Sequence, residues 1–318
     1  MPSWDKLGHL MQAVDYGIVL PAMARMPLVL GENLSRLRGA LQAIIDYDWR
    51  SMALGKRYVR KDSYEAIRII MPEAGKRRWL IAAFERFIYF SKEEWEASLF
   101  GQQVMSSIAK NCLIDGLPEL LRIQRQGRGL VMVTAHFDSY LMGMVLLGMK
   151  GLRSNLVTSS VVENPRVHPA VRSYFNRKYR AMEYRMGGKL VHFEVDLSFF
   201  NGALERGETV FLVADTQGSR STVSIPFLGA SFRMPLGAWH MAKKTGSAIG
   251  AFVCLHQAPG RYRVVCLSPQ DIDYNSPGNT MEPVYAFLES WIRKTPERWL
   301  AMEHLLNYDA TPPPCLPQ

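Results

Sequence analysis

From residue 113 onward, short apolar runs alternate with stretches of helical periodicity, and this alternation constrains the fold more than any other feature. Leu130–Thr134 and residues 155–162, 189–193, 209–214, 248–255 and 262–267 read as strands, with helical patterning near 140–149, 169–186, 196–204 and 235–244. Strands buried on both faces appear as continuous apolar runs, and returning the chain to a parallel neighbour takes a helical crossover. The expected architecture is an α/β fold, a mostly parallel central sheet covered by helices. In such sheets reactive groups gather beyond the carboxyl ends of the strands.

The preceding region reads as a helical scaffold. Trp49, Tyr58, Tyr64, Trp79, Phe84, Phe87 and Trp95 recur at spacings that suit helix packing, which points to core rather than to a ligand cage. Met71-Pro72 should punctuate it, and Ser91-Lys-Glu-Glu94 has the form of a capping box that would open a new helix. The expected division is a helical region over 1–110, an α/β domain over 111–308 and a proline-rich tail over 309–318, together one unit. The most apolar run, residues 17–30, is broken by Pro21, Arg25 and Pro27 and is too short to span a bilayer. It either lies in a membrane interface, with Arg25, Arg36 and Arg38 reaching phosphates, or packs on the core.

With 38 Lys and Arg against 29 Asp and Glu, the net charge of +9 favours anionic partners or simply solubilises the surface. Nucleic acid is not expected, because the basic residues are spread and no recognition motif is present. The four cysteines form no CxxC pair and the histidines lack ligand spacing, so neither metal nor cofactor is expected. The opening Met-Pro-Ser-Trp-Asp has no signal-peptide character, which suggests a reducing compartment.

Two polar positions follow apolar strands closely. His136 lies just past Leu130–Thr134, where an imidazole can take a proton from a hydroxyl or amine near neutral pH. Asp138, two residues on, could hold that ring or cap the following helix. Asp215-Thr-Gln-Gly-Ser-Arg220 follows the 209–214 strand. Asp215 and Arg220 offer a carboxylate and a guanidinium to a polar substrate, or form an ordinary polar turn.

Several short segments, taken in order, resemble the lipid A biosynthesis (lauroyl/myristoyl) acyltransferase family, within the lysophospholipid acyltransferase-like superfamily. They are Gly55–Arg60, Met71-Pro-Glu73, Asp115-Gly-Leu117, Gly127-Arg-Gly129, Thr134-Ala-His-Phe137, Glu163-Asn-Pro165, Gly207–Asp215, Ile225–Gly229, Ala242–Gly246, Gly260–Arg263 and Ile292–Trp299. The resemblance implies transfer of an acyl chain from acyl carrier protein or acyl-CoA to a membrane glycolipid or similar acceptor. It implies His136 as general base; Asn164, Asp215 and Arg220 are the expected substrate-binding residues, and an anionic membrane surface is the expected partner. The corresponding location is the cytoplasmic face of an inner membrane, or the cytoplasm. The chain departs from the family where an acid is expected five residues after His136, a position held by Leu141. It departs again at Ser160, where the family carries arginine, and at Gln217, where it carries an acid. Either Asp138 replaces the missing acid and transfer persists, or the chain is an altered member that binds lipid or carrier protein.

Overall fold

A computed structural model describes residues 2–50, 58–215, 221–307 and 310–311. The first part is helical. Helix α1 (Pro2–Val14) runs through a π-helical turn (Asp15–Val19) into α2 (Leu20–Met23), followed by α3 (Leu28–Ile45), α4 (Val59–Ile70), α5 (Gly75–Ser98) and α6 (Val104–Lys110). Helix α4 stops before Met71-Pro72, as the sequence suggests, because proline disfavours helical geometry in the residue before it.

The alternating part begins with β1 (Leu113–Asp115), α7 (Leu117–Arg125), β2 (Leu130–Thr134), α8 (Tyr140–Met149) and β3 (Ser154–Thr158). It continues with α9 (Pro169–Met186), β4 (Leu190–His192), α10 (Ser198–Glu205) and β5 (Thr209–Val213). After these come β6 (Thr222–Phe227), β7 (Ala230–Pro235), α11 (Gly237–Thr245), β8 (Ala248–Ala258), β9 (Arg261–Gln270), α12 (Pro277–Lys294) and β10 (Ala310–Thr311).

Seven strands form the main sheet in the order β1-β9-β8-β2-β5-β3-β4, and every neighbouring pair is parallel except β8–β9. The expected fold class is therefore what the chain adopts. All five residues of β2 are buried, consistent with a central strand covered on both faces. The Gly127-Arg-Gly129 motif has a packing cause: a Cβ on Gly129 would sit 2.4 Å from the Leu204 carbonyl oxygen. A second sheet, β10-β7-β6, is built on a hairpin whose turn places Leu228 and Gly229 at φ of 51° and 86°.

Two expectations for the helical part fail. Helix α5 runs unbroken through 91–94, so Ser91 caps nothing. Its hydroxyl instead donates to the Ser35 carbonyl (2.7 Å) and accepts from Arg38 (2.9 Å), because α3 packs alongside and offers partners that a capping arrangement would forfeit. Arg38 cannot reach a membrane phosphate, since it is buried and its guanidinium is held by Asp15 (2.6 Å) and Glu94 (2.8 Å). Arg36 pairs with Glu32 (2.8 Å), whereas Arg25 is exposed. Among the described residues no helix is long and apolar enough to cross a membrane.

Candidate active site

Register alone brings the two sequence-flagged groups together. Strands β2 and β5 are parallel neighbours, paired up to Thr134 opposite Val213, and the Ala214 amide still donates to the Thr134 carbonyl (2.9 Å). His136 and Asp215 each follow two residues past that last rung. Adjacent strands lie roughly 4.8 Å apart, so side chains from equivalent positions meet. The His136 Nδ1 lies 2.7 Å from Asp215 Oδ1, while the other carboxylate oxygen accepts from the His136 amide (2.8 Å) and from the Trp299 indole (2.6 Å).

Three bonds to one carboxylate fix its plane and therefore the ring. Asp215 is buried, which pushes its carboxyl upward, but the adjacent imidazole and the donated hydrogen bonds outweigh burial and hold it below the usual range. A carboxylate at Nδ1 keeps the proton there and leaves Nε2 as the accepting nitrogen. The His136 side chain is 25% exposed, and among the described residues Nε2 has no hydrogen-bond partner. Tyr140 packs edge-on against the ring at 4.9 Å.

Backbone bonds clamp the segment after β2. The Leu300 amide donates to the His136 carbonyl (2.7 Å), the Asp138 amide to the Arg298 carbonyl (2.8 Å) and the Ser139 amide to the Cys254 carbonyl (3.2 Å). This route takes Asp138 through φ +49°, an uncommon conformation for a residue with a side chain. It also aims Asp138 away from the ring. Its carboxylate accepts from Lys92 (3.2 Å), Ser139 (3.2 Å), the His256 amide (3.1 Å) and Arg298 (2.7 Å). Burial would raise this carboxyl, but Lys92 and Arg298 beside it keep it low. The residue does not cap α8 either, since the cap position belongs to Ser139 and no side chain bonds there.

The other expected positions fall apart spatially or outside the described residues. Asn164 follows a short 3₁₀ turn between β3 and α9, where its side-chain carbonyl accepts from the Arg166 amide (3.0 Å). Arg220 and Gln217 lie outside the described residues. Leu141, where the family acid is expected, is buried in the apolar core with residues 140–147 of α8. The carboxylate against the ring is thus Asp215.

Sequence reasoning missed the buried charges behind the site. Lys92, Glu93, Glu94 and Glu96 are nearly solvent-free although charge runs of this kind usually mark a wet helix face. Lys92 donates to Glu96 (2.7 Å), which also accepts from Tyr262 (3.1 Å). Glu93 is left with an unpartnered Oε1, and burial pushes its carboxyl up to about 7 despite the nearby Lys178. The interruption of aromatic spacing by three glutamates in this stretch was the available signal.

Comparison with known proteins adds the following. The sequence model of the family described as bacterial lipid A biosynthesis acyltransferase matches residues 67–307. Comparison with curated proteins gives no match. Among solved structures, the chain aligns with the 1-acyl-sn-glycerophosphate (LPA) acyltransferase PlsC from Thermotoga maritima at 13% identity and a TM-score of 0.36, covering 85% of this chain and 97% of that one.

Proposed function

The chain belongs to the bacterial lipid A biosynthesis acyltransferase family, and from that premise we propose that it moves an acyl group from an acyl-carrier-protein or coenzyme A thioester to a hydroxyl or amine on a membrane glycolipid or lipid-like acceptor. The observation that carries this reading is the His136–Asp215 pair, with Nδ1 engaged at 2.7 Å and Nε2 open.

In this scheme Nε2 takes the proton from the acceptor O–H or N–H as that atom bonds to the thioester carbonyl carbon. The tetrahedral adduct then collapses, the C–S bond breaks, and the thiolate recovers the proton from the imidazolium. Asp215 fixes the ring and stabilises its cationic form, while Trp299 and the His136 amide keep the carboxylate in place. Asp138 serves as an anchor: neutralised by Lys92 and Arg298, it ties α5 and the segment around 298 to the end of β2.

An apolar acceptor calls for a membrane-facing surface. Leu10 on α1, Ile18 in the π-helical turn, and Val29, Leu37, Leu41 and Ile44 on α3 are all more than half exposed, which favours peripheral docking by this face. The test is acyl transfer from a panel of acyl-carrier and coenzyme A thioesters in the presence of glycolipid and phospholipid vesicles. Transfer that falls about 10³-fold or more in His136→Ala, with the fold retained, is the expected result. Thioester or lipid binding with no transfer by the unaltered protein would instead identify a binding module, consistent with the missing acid at Leu141.

A further inference from the structure

A cavity of about 230 Å³ lies away from the His136–Asp215 pair, between the α2–α3 turn, the end of α5 and one face of α9. Its walls combine small residues such as Pro21, Ala97 and Ala181 with Gln102 and Tyr174, and its charged members are Arg25, Arg177 and Lys178. No acid lines it. Arg25 and Arg177 are exposed at the mouth, and among the described residues Arg177 bonds to Ser173 (2.7 Å).

Lys178 is the unusual member. It is 7% exposed, yet among the described residues its ammonium donates no hydrogen bond and joins no ion pair. It sits 3.9 Å from the Phe175 ring centroid, with the Tyr174 and Tyr179 rings at 5.5 and 5.4 Å. Rings face a cation favourably but satisfy none of its three N–H donors. An ammonium this poorly hydrated gains from an added acceptor. The nearest acid by charge is Glu93, which burial holds partly protonated near neutral pH. An anion entering the cavity would supply the acceptors that Lys178 lacks, between two further cations.

We propose that this cavity is a head-group site for an anionic phospholipid, in which the lipid phosphate is bound by Lys178 and clasped at the mouth by Arg25 and Arg177. The volume suits a head group, since pockets that enclose whole drug-sized ligands start at about 300 Å³. The chains have somewhere to go: Ile18 (65% exposed) precedes the cavity's Pro21 by one helical turn, and Val29 (61% exposed) follows Arg25 by four residues. The site rests on the reading of these helices as membrane-facing and adds a specific lipid contact to it.

The experiment measures partitioning onto phosphatidylcholine vesicles and onto vesicles containing phosphatidylglycerol, for the unaltered chain, Arg177→Gln and Lys178→Met. It is paired with thermal stabilisation by soluble short-chain phosphatidylglycerol and by inorganic phosphate. Expected is tighter binding to the phosphatidylglycerol vesicles, reduced about fivefold in Arg177→Gln and about tenfold in Lys178→Met, with phosphatidylcholine binding unchanged. Arg177→Gln alters an exposed residue, so it reports even if Lys178→Met fails to fold. Phosphatidylglycerol binding equal in all folded variants overturns the head-group site while leaving membrane docking intact. Binding to neither vesicle overturns both. Stabilisation by inorganic phosphate equal to that by the short-chain lipid overturns the lipid assignment in favour of a free-anion site.

Discussion

The molecule holds two buried aspartates near the carboxyl end of β2, and they serve opposite ends. Asp215 faces an imidazole and two neutral donors, and the ring's far nitrogen remains open among the described residues. Asp138 faces Lys92 and Arg298, two permanent cations, and is sealed at 1% exposure. Both carboxyls are held low, so depressed acidity does not separate a reactive carboxylate from a structural one. The partner does. A carboxylate spent on fixed charges anchors the fold, whereas one spent on an imidazole sets the ring's tautomer.

The contrast is broken or sharpened most strongly at Asp215. Asp215→Asn should lower transfer by as much as about 10⁴, because the amide no longer selects the reactive tautomer, while the melting temperature moves little. His136→Ala combined with Asp215→Asn should be no worse than His136→Ala alone, since the two act as a unit. Kinetics on the double variant would expose independent roles as a further loss.

Asp138→Ala should act in the other direction. It removes the carboxylate paired with Arg298 and one of the two on Lys92, which keeps Glu96, and losing one partner of a buried pair costs up to about 3–5 kcal/mol of stability. Denaturant unfolding should register that loss, and activity per folded molecule should fall far less than in Asp215→Asn. If turnover instead collapsed while stability held, the two aspartates would have exchanged roles. Leu141→Glu offers a related test. Placing a carboxylate in the packed face of α8 should destabilise by roughly 3 kcal/mol or more rather than raise activity.

The smallest effect concerns pH. Asp138, held low when folded, contributes stability that is present above the ordinary aspartate value of about 3.9 and lost as pH falls through its folded value. Glu93 has the opposite sign. Raised to about 7, it contributes stability that is complete below the ordinary glutamate value of about 4.3 and lost as pH rises through its folded value. Melting curves between about pH 5 and 8 should therefore slope downward in the unaltered chain and flatten in Glu93→Gln. A slope unchanged by that substitution would place the titrating group elsewhere.

How much of this was legible in the sequence varied with the range of the interaction. The alternation of runs and periodicities gave the parallel sheet, because those patterns are local and each element is buried on predictable faces. Proximity to strand ends singled out His136 and Asp215. The 222–235 hairpin carried no such signal. Its turn opens with a leucine at positive φ ahead of Gly229, and Pro226, a residue that argues against a strand, lies within its first strand. Ser91-Lys-Glu-Glu94 had the residues of a cap, but α3 supplied better partners to Ser91.

The amino-acid order by itself determined the α/β class, the break at Met71-Pro72 and a histidine poised beyond an apolar strand, since each follows from hydrophobic period or backbone restriction within a few residues. Only the folded chain decided which acid meets that histidine. Asp138 is two residues away in sequence and turned aside by its backbone, whereas Asp215 is brought in across the β2–β5 ladder. Strand order and register, set by packing over the whole sheet, carry that information, and no local window contains it.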